Sequence, residues 1–328
     1  MKKIITLLSF CVLLVGCSSP PDPTVRPELV DNAKVLYPTE NYLTAVGQAS
    51  KRDRGAKNAK ANLVEIFSLQ VKTETNMLTE SSKDQSALGM TAESSTSLTR
   101  TISTETDQVI RGVEIKESWL SPTGEYYVLA VLQKQKAAAN LRDTINELDE
   151  KSANLIDYSI NDAPNSITAI NALRKARDAQ ITRNIANSHL KQVSASGMPP
   201  DISIDKIERL ITKKLSALKV SVINKDNDQQ KTLQAGVSAL GVTLTDDADI
   251  VISEKYDITE PTLINGWYWL RGSYELSLLE HGKVISRKRW PIKISGKEAV
   301  LLNARLEDKI NQNVAQYVIE LVSDEATP

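Results

Sequence analysis

Histidine and cysteine are nearly missing from this 328-residue chain, and their scarcity removes whole classes of chemistry. The two cysteines, Cys11 and Cys17, both lie at the amino-terminal end. The body that follows has no thiol for an internal disulfide, a thiolate metal site or a cysteine nucleophile. The two histidines, His189 and His281, stand far apart in sequence. Each reads as a surface residue rather than a metal ligand. A serine nucleophile needs a base within hydrogen-bond reach, and neither histidine lies in a GxSxG or related context. There is no phosphate-cradling glycine loop, no HExxH and no calcium loop. The carboxylates of "TDDADI" (Thr245 to Ile250) precede a strand without EF-hand spacing or glycine, and read as a solvated turn. Nothing points to paired-carboxylate glycosidase chemistry. Charge bias is absent as well, with 40 basic against 41 acidic side chains, so no nucleic-acid partner is indicated. The expectation is a protein that is not an enzyme and needs no cofactor.

What is present begins at the first residues. Lys2 and Lys3 precede an apolar run from Ile4 to Val15, which is too short to span a bilayer and has the form of a signal segment. Its close, Leu14-Val15-Gly16-Cys17, resembles the bacterial lipobox, in which the cysteine is acylated and becomes the first residue of the mature protein. The resemblance implies a signal peptide at 1–16 and acyl chains, palmitate among them, on Cys17; stable anchoring takes two or more such chains. Losing Lys2 and Lys3 leaves 38 basic against 41 acidic side chains. Ser18 and Ser19 follow, with no aspartate beside the cysteine. By resemblance to enterobacterial lipoproteins this favours the outer membrane, on its periplasmic side. Pro20, Pro21, Pro23 and Pro27 stop any helix and make 17–35 a tether, about 30 Å long if fully in polyproline II.

Beyond the tether, "NYLTAVGQAS" (Asn41 to Ser50) reads as a strand closing on Gly47. The spacing then turns helical, with Ala56, Ala59, Leu63, Ile66 and Phe67 on one face. Thr73 to Thr106 is a Ser/Thr-rich excursion, with a second helix expected from about Ser95 to Val109. "GVEIKESWL" places Val113, Ile115 and Trp119 on one strand face, "SPTG" (Ser121 to Gly124) has the pattern of a type I turn, and "EYYVLAVLQ" is apolar on both faces, as a central strand should be. Together, "YLTAVGQAS", the Ala-x-x-Ala-x-x-x-Leu helix, "GVEIKESW" and "GEYYVLAVL" resemble the LPP20 outer-membrane lipoprotein family over about Leu36 to Asp149. The resemblance implies a small α+β domain on a lipid anchor, placed here at 36–133. It also implies kinship with envelope antigens and with a component of a flagellar basal disk.

From 134 to 200 the pattern is a helical hairpin. Ala138, Leu141, Ile145, Leu148, Ser152 and Leu155 alternate by three and four, "DAPNS" breaks the run, and Pro164 fits the first turn of a helix from Asn165 to about Ala195. The hairpin packs on itself or on the first domain; a seam open to a partner, or for self-association, is the alternative. "SGMPPD" sets a boundary before a C-terminal α+β domain at 201–328, which carries antiparallel strands and a closing helix with Leu306, Ile310, Val314, Tyr317 and Leu321 in register. Its layout resembles periplasmic α+β domains of lipoproteins that activate cell-wall synthases, as fold-level analogy alone.

The tryptophan-rich hairpin in this last domain carries the candidate site. A three-residue loop, Glu280-His281-Gly282, predicts Leu278 opposite Val284, Leu276 opposite Ser286, Glu275 opposite Arg287, Trp269 opposite Lys293, and Trp290 covering Gly272. A two-residue loop would mix Arg287 and Arg289 into the Tyr274 and Leu276 face, which patterning disfavours. The expected outcome places Trp267 and Trp269 on a polar, basic face beside Arg271 and Lys293. Such a face suits a glycan, an anionic polymer or an envelope protein partner. The competing reading covers both rings with a helix or the strand Ile250 to Ile258, lysine stems packed on them.

Overall fold

A computed structural model describes residues 31–65, 112–223, 227–238 and 242–323. The signal segment, Cys17, most of the tether, the Ser/Thr-rich excursion with its expected helix, and Ile66 and Phe67 lie outside the described residues. The chain divides into two compact units, Met1–Leu63 with Glu114–Val131, and Val64–Val113 with Leu132–Pro328.

The first unit begins with α1 (Ala33–Leu36), a single turn that starts inside the expected tether. It continues through β1 (Tyr42–Ala49), helical residues 52–65 (α2), β2 (Val113–Leu120) and β3 (Tyr126–Gln133). The sheet order is β1-β3-β2, so the continuously apolar β3 is central, with Val128 to Leu132 all buried. β2 shows the alternating burial that its sequence predicts. The turn between them is closed by the Gly124 amide donating to the Ser121 carbonyl at 2.9 Å, with Gly124 at φ +84°. β1 does not close on Gly47 but runs on to Ala49. Gly47 instead marks where α2 meets the strand, since a Cβ there would lie 2.1 Å from the Ala59 nitrogen. α2 turns Gly55, Ala59 and Leu63 inward, while Ala56 is half-buried.

The second unit contains α3 (Lys134–Asn161), α4 (Ser166–Ser194), α5 (Ile204–Ala217), β4 (Lys219–Ile223), α6 (Asn227–Ser238), β5 (Thr243–Leu244), β6 (Ile250–Ile258), β7 (Thr262–Ile264), β8 (Trp267–Glu280), β9 (Lys283–Gly296) and α7 (Leu302–Val322). α3 and α4 pack on each other through the predicted seam, with Ala138, Leu141, Ile145 and Ser152 buried and Leu148 and Leu155 half-buried. Asn165 caps α4 by accepting from the Thr168 amide at 2.8 Å. Pro164 therefore sits just before the cap rather than in the first turn.

Two expectations need correction here. First, α4 is not a one-faced helix: 17 of its 29 residues are buried, and Ala169, Ala172, Ala176, Ala179 and Ala186 are small enough to let neighbours close in around it. His189 is consequently fully buried, not at the surface, and burial lowers its pKa from 6.5 to about 4. His281 is exposed, as expected.

Second, Gly197 to Pro200 does not separate two cores. Ile170, Leu173 and Ala176 of α4 share one apolar cluster with Ile207 and Ile211 of α5, Val220, Ile252, Tyr274 and Leu276 of the sheet, and Ile310 and Val318 of α7. Polar contacts bind the same elements. Arg183, fully buried, pairs with Asp149 at 3.2 Å and donates to the Pro199 carbonyl at 2.9 Å, and Asn187 accepts from the Met198 amide at 2.7 Å. A segment starting at Asp201 leaves part of its core behind on α4.

The sheet runs β5-β4-β6-β8-β7, with β9 on the other flank of β8, where it pairs with no other described strand. β6, β7, β8 and β9 pair antiparallel as expected, but β4 pairs in parallel with β5 and β6, a departure from the expected antiparallel strands. Every helix in the shared apolar cluster reaches the same inner face.

Candidate functional site

The site is the outer face of β6, β8 and β9, and its geometry starts from a turn. His281 (φ +48°) and Gly282 (φ +78°) both take positive φ, which makes a two-residue type I′ turn rather than the expected three-residue loop. Glu280 pairs with Lys283 and Leu279 with Val284; the ladder then shifts, so that Leu278 pairs with Ser286 and Ile285 is the extra residue of a bulge. The bulge resolves the conflict that the sequence presents. It returns Arg287 and Arg289 to the side away from Leu276 and Tyr274.

The ladder therefore differs from the predicted one by two residues. Glu275 faces Arg289, Arg271 faces Lys293, Trp269 faces Ser295, and Trp290 faces Tyr274 rather than Gly272. An even shift keeps every side chain on its predicted face, so Trp267, Trp269, Arg271 and Lys293 do share one side. Trp290 belongs to the inner side, stacked on Tyr317 at 4.3 Å and donating from Nε1 to Glu320. Tyr274 is buried beside it and donates to Glu254 at 2.7 Å; burial and that carboxylate hold the phenol above its ordinary range. Gly272 needs to be glycine for another reason, because a Cβ would strike the Asp257 carbonyl oxygen at 2.0 Å.

On the outer face Trp267 is 42% exposed and Trp269 half-buried. Lys293 Nζ lies 5.0 Å from the Trp269 ring centre, and the Arg271 guanidinium 5.6 Å. Lys297 Nζ lies 4.3 Å from the Trp267 ring centre. Contacts of this kind at exposed sites are worth about 0.5–1 kcal/mol each. Farther along, Arg289 donates from Nε and Nη2 to Glu275 at 2.9 and 2.6 Å, with Arg287 3.6 Å from the same carboxylate. Hydrogen bonding from Arg289 holds Glu275 below the usual carboxylate range. The exposed cations Lys255, Arg271, Arg287, Arg289 and Lys293 outnumber Asp257 and Glu275 on this face, so it has an excess of positive charge beside its indoles.

Sequence reasoning missed Lys297 and the neighbouring hairpin tip. Asn265 (φ +51°) and Gly266 (φ +75°) form a second type I′ turn joining β7 to β8, and the Asn-Gly pair was the available signal.

A second concavity of about 270 Å³ opens beside the other hairpin end and includes Ser166, Lys214, Lys219, Asp249, Glu280 and His281. Its polar groups largely answer one another: Glu280 accepts from the Ser166 amide and hydroxyl, and Lys214 donates to the Ser159 carbonyl. Among the described residues no three His, Cys, Asp or Glu side chains converge as metal ligands. No described helix is long and apolar enough to cross a membrane.

Comparison with known proteins places part of this chain. The model of the LPP20 lipoprotein family matches residues 30–133. No curated protein matches the chain. Among solved structures, a secreted protein of Helicobacter pylori is 17% identical, covers 87% of this chain and 99% of its own, and has a TM-score of 0.47. A minor lipoprotein of Acinetobacter baumannii is 20% identical over 31% of this chain and 92% of its own, with a TM-score of 0.26. Rare lipoprotein B of Shewanella oneidensis is 14% identical over 32% and 89%, with a TM-score of 0.21. Over residues 30–133, about a third of its length, this chain is similar to the LPP20 lipoprotein family.

Proposed function

We propose that the chain is held in the outer membrane, on its periplasmic side, by acyl chains on Cys17, and that it works without catalysis as an interaction module of the envelope. The observation that carries the reading is the open outer face of the second sheet. Trp267, Trp269, Arg271 and Lys293 stand there together, backed by Arg287 and Arg289, and tryptophan and arginine are the residue types that dominate binding hot spots. A half-buried indole flanked by two cations is rigid, so it loses little conformational freedom when a partner settles on it. The partner on this reading is an envelope protein. The excess of cations supports a second reading, in which the same face takes a glycan or other anionic polymer.

Photocrosslinking in cells from position 269 tests the docking reading. A discrete protein adduct is expected from the wild-type background, and Arg271→Glu/Lys293→Glu should abolish it without lowering the thermal midpoint. Labelling of polymer instead of protein selects the second reading, and no adduct of either kind overturns both. Cys17→Ala should leave an unprocessed chain absent from the outer-membrane fraction; a wild-type chain recovered soluble and unacylated would refute the anchor.

A further inference from the structure

One end of the second sheet gathers apolar side chains that the fold leaves in water. Five of the eleven exposed large apolar residues among the described residues are here: Leu263 (58%), Ile264 (40%), Trp267 (42%), Val300 (78%) and Leu301 (45%). Three local causes bring them together. The Asn265-Gly266 turn sets Leu263 opposite Tyr268 and Ile264 opposite Trp267. Tyr268 in turn pairs with Gly296 on β9. Val300 and Leu301 follow Gly296 by four and five residues, in the short 3₁₀ turn Ala299–Leu301. Ile264 lies on the outer side with Trp267 and Leu263 on the inner side with Tyr268, so exposed apolar side chains cap this end of the sheet on both faces, where isolated ones would be ordinary.

The charges around it are ordered. Lys297 lies over the Trp267 ring, Lys293 and Arg271 flank Trp269 one step back along β8, and Arg305 donates to the Ser295 carbonyl. Against these four cations stand Glu260, Glu298 and, on the same face as Arg271, Asp257. Aliphatic tip, then indole, then ammonium and guanidinium is the order in which a bilayer presents hydrocarbon, interface and phosphate.

We propose that this end of the second unit is a membrane-contacting tip, in which Leu263, Ile264, Trp267, Val300 and Leu301 enter the headgroup boundary of an anionic phospholipid surface while Arg271, Lys293 and Lys297 bind its phosphates. The proposal rests on the reading of the chain as an anchored lipoprotein, which places a bilayer within reach of its own amino terminus. An envelope protein docked about Trp269 would share Trp267, Arg271 and Lys293 with the tip, whereas Leu263, Ile264, Val300 and Leu301 belong to the tip alone. The acyl anchor holds the chain to the membrane, and the tip fixes which way the second unit faces.

The experiment is vesicle sedimentation of the mature chain from residue 17, carrying Cys17→Ser so that no acyl chain contributes. Binding is expected to phosphatidylethanolamine–phosphatidylglycerol vesicles, with blue-shifted tryptophan emission, and more weakly to phosphatidylcholine. Leu263→Asp/Ile264→Asp should weaken it by about tenfold or more, and Lys293→Glu/Lys297→Glu should remove the preference for phosphatidylglycerol. Should the first variant melt lower, Val300→Asp, outside the ladder, repeats the test. The proposal fails if no vesicles are bound, or if the tip variants bind as well as wild type. It fails equally if the tip variants dissolve a concentration-dependent dimer instead, or if a crosslinker at 264 captures protein rather than lipid in cells. A wild-type chain that binds no vesicles yet gives the adduct at 269 refutes the tip alone; one that binds vesicles yet gives no adduct refutes the docking partner alone.

Discussion

β3 and β8 are both central to their sheets, yet they are written differently. β3 reads YYVLAVLQ and buries five residues in a row, so both its faces are used up in holding the first sheet together. β8 alternates over WYWLRGSYELSLL, with Tyr268, Leu270, Tyr274, Leu276 and Leu278 turned in and Trp267, Trp269 and Arg271 turned out; Tyr274 to Leu278 are buried in a row here too, so the open face belongs to its first half. A strand covered on both sides can only stabilise. The half of β8 covered on a single side, Trp267 to Arg271, leaves a short rigid row of side chains available, positioned by the core beneath them.

The largest expected effect breaks both strands alike. Leu129→Ala in β3 and Leu276→Ala in β8 each empty a fully buried site and should cost about 2–5 kcal/mol by denaturant titration. A cost below 1 kcal/mol at Leu276 would mean that the inner face of β8 is not the core.

Acid separates interior from open face. The buried His189 has a folded pKa near 4 against an ordinary 6.5, so the unfolded chain binds the extra proton and stability falls as pH drops from about 6.5 to about 4. Glu275 is depressed, so its pairing with Arg289 contributes above the ordinary carboxylate value of 4.5 and is lost only as pH falls below that. Thermal melts across pH should lose their upper slope in His189→Gln, and only their lowest part should change in Glu275→Gln. A single slope untouched by either variant would refute both assignments.

The smallest effect is expected on the outer face. Trp269→Ala gives up two cation contacts and should cost about 1–2 kcal/mol, below the core losses. A cost like that of Leu276→Ala would show that the ring is structural and remove the basis for a docking face.

The same contrast explains what the sequence could disclose. The uninterrupted apolar run of β3 and the alternation of β8 and β9 are side-chain patterns, and they made the α+β class, the central strand and the two faces legible. Register was not, because it depends on backbone: the positive φ of His281 and the extra residue at Ile285 leave no mark in hydrophobicity. The faces stayed correct only because turn and bulge together displaced the ladder by an even number. His189 reads as a surface residue from its isolation in the sequence, whereas the alanines of α4 allow close approach from several directions and bury it. The shared core across Pro199 and Pro200 was hidden for a related reason. A proline-rich break ends a helix, but it does not say whether the elements on either side still touch.

The long flank of β9 has a consequence for life at high density. An unguarded strand edge invites one chain to add to the next until a fibre grows, and the proposed lipid anchor, by holding copies in a plane, would make such encounters frequent. β9 presents fourteen residues of such an edge. Pro291, midway along it, has no amide hydrogen to lend, the bulge at Ile285 twists the ribbon out of line, and Arg287, Arg289 and Lys293 set like charge against any identical neighbour. Among the described strands, these features oppose templating by this edge.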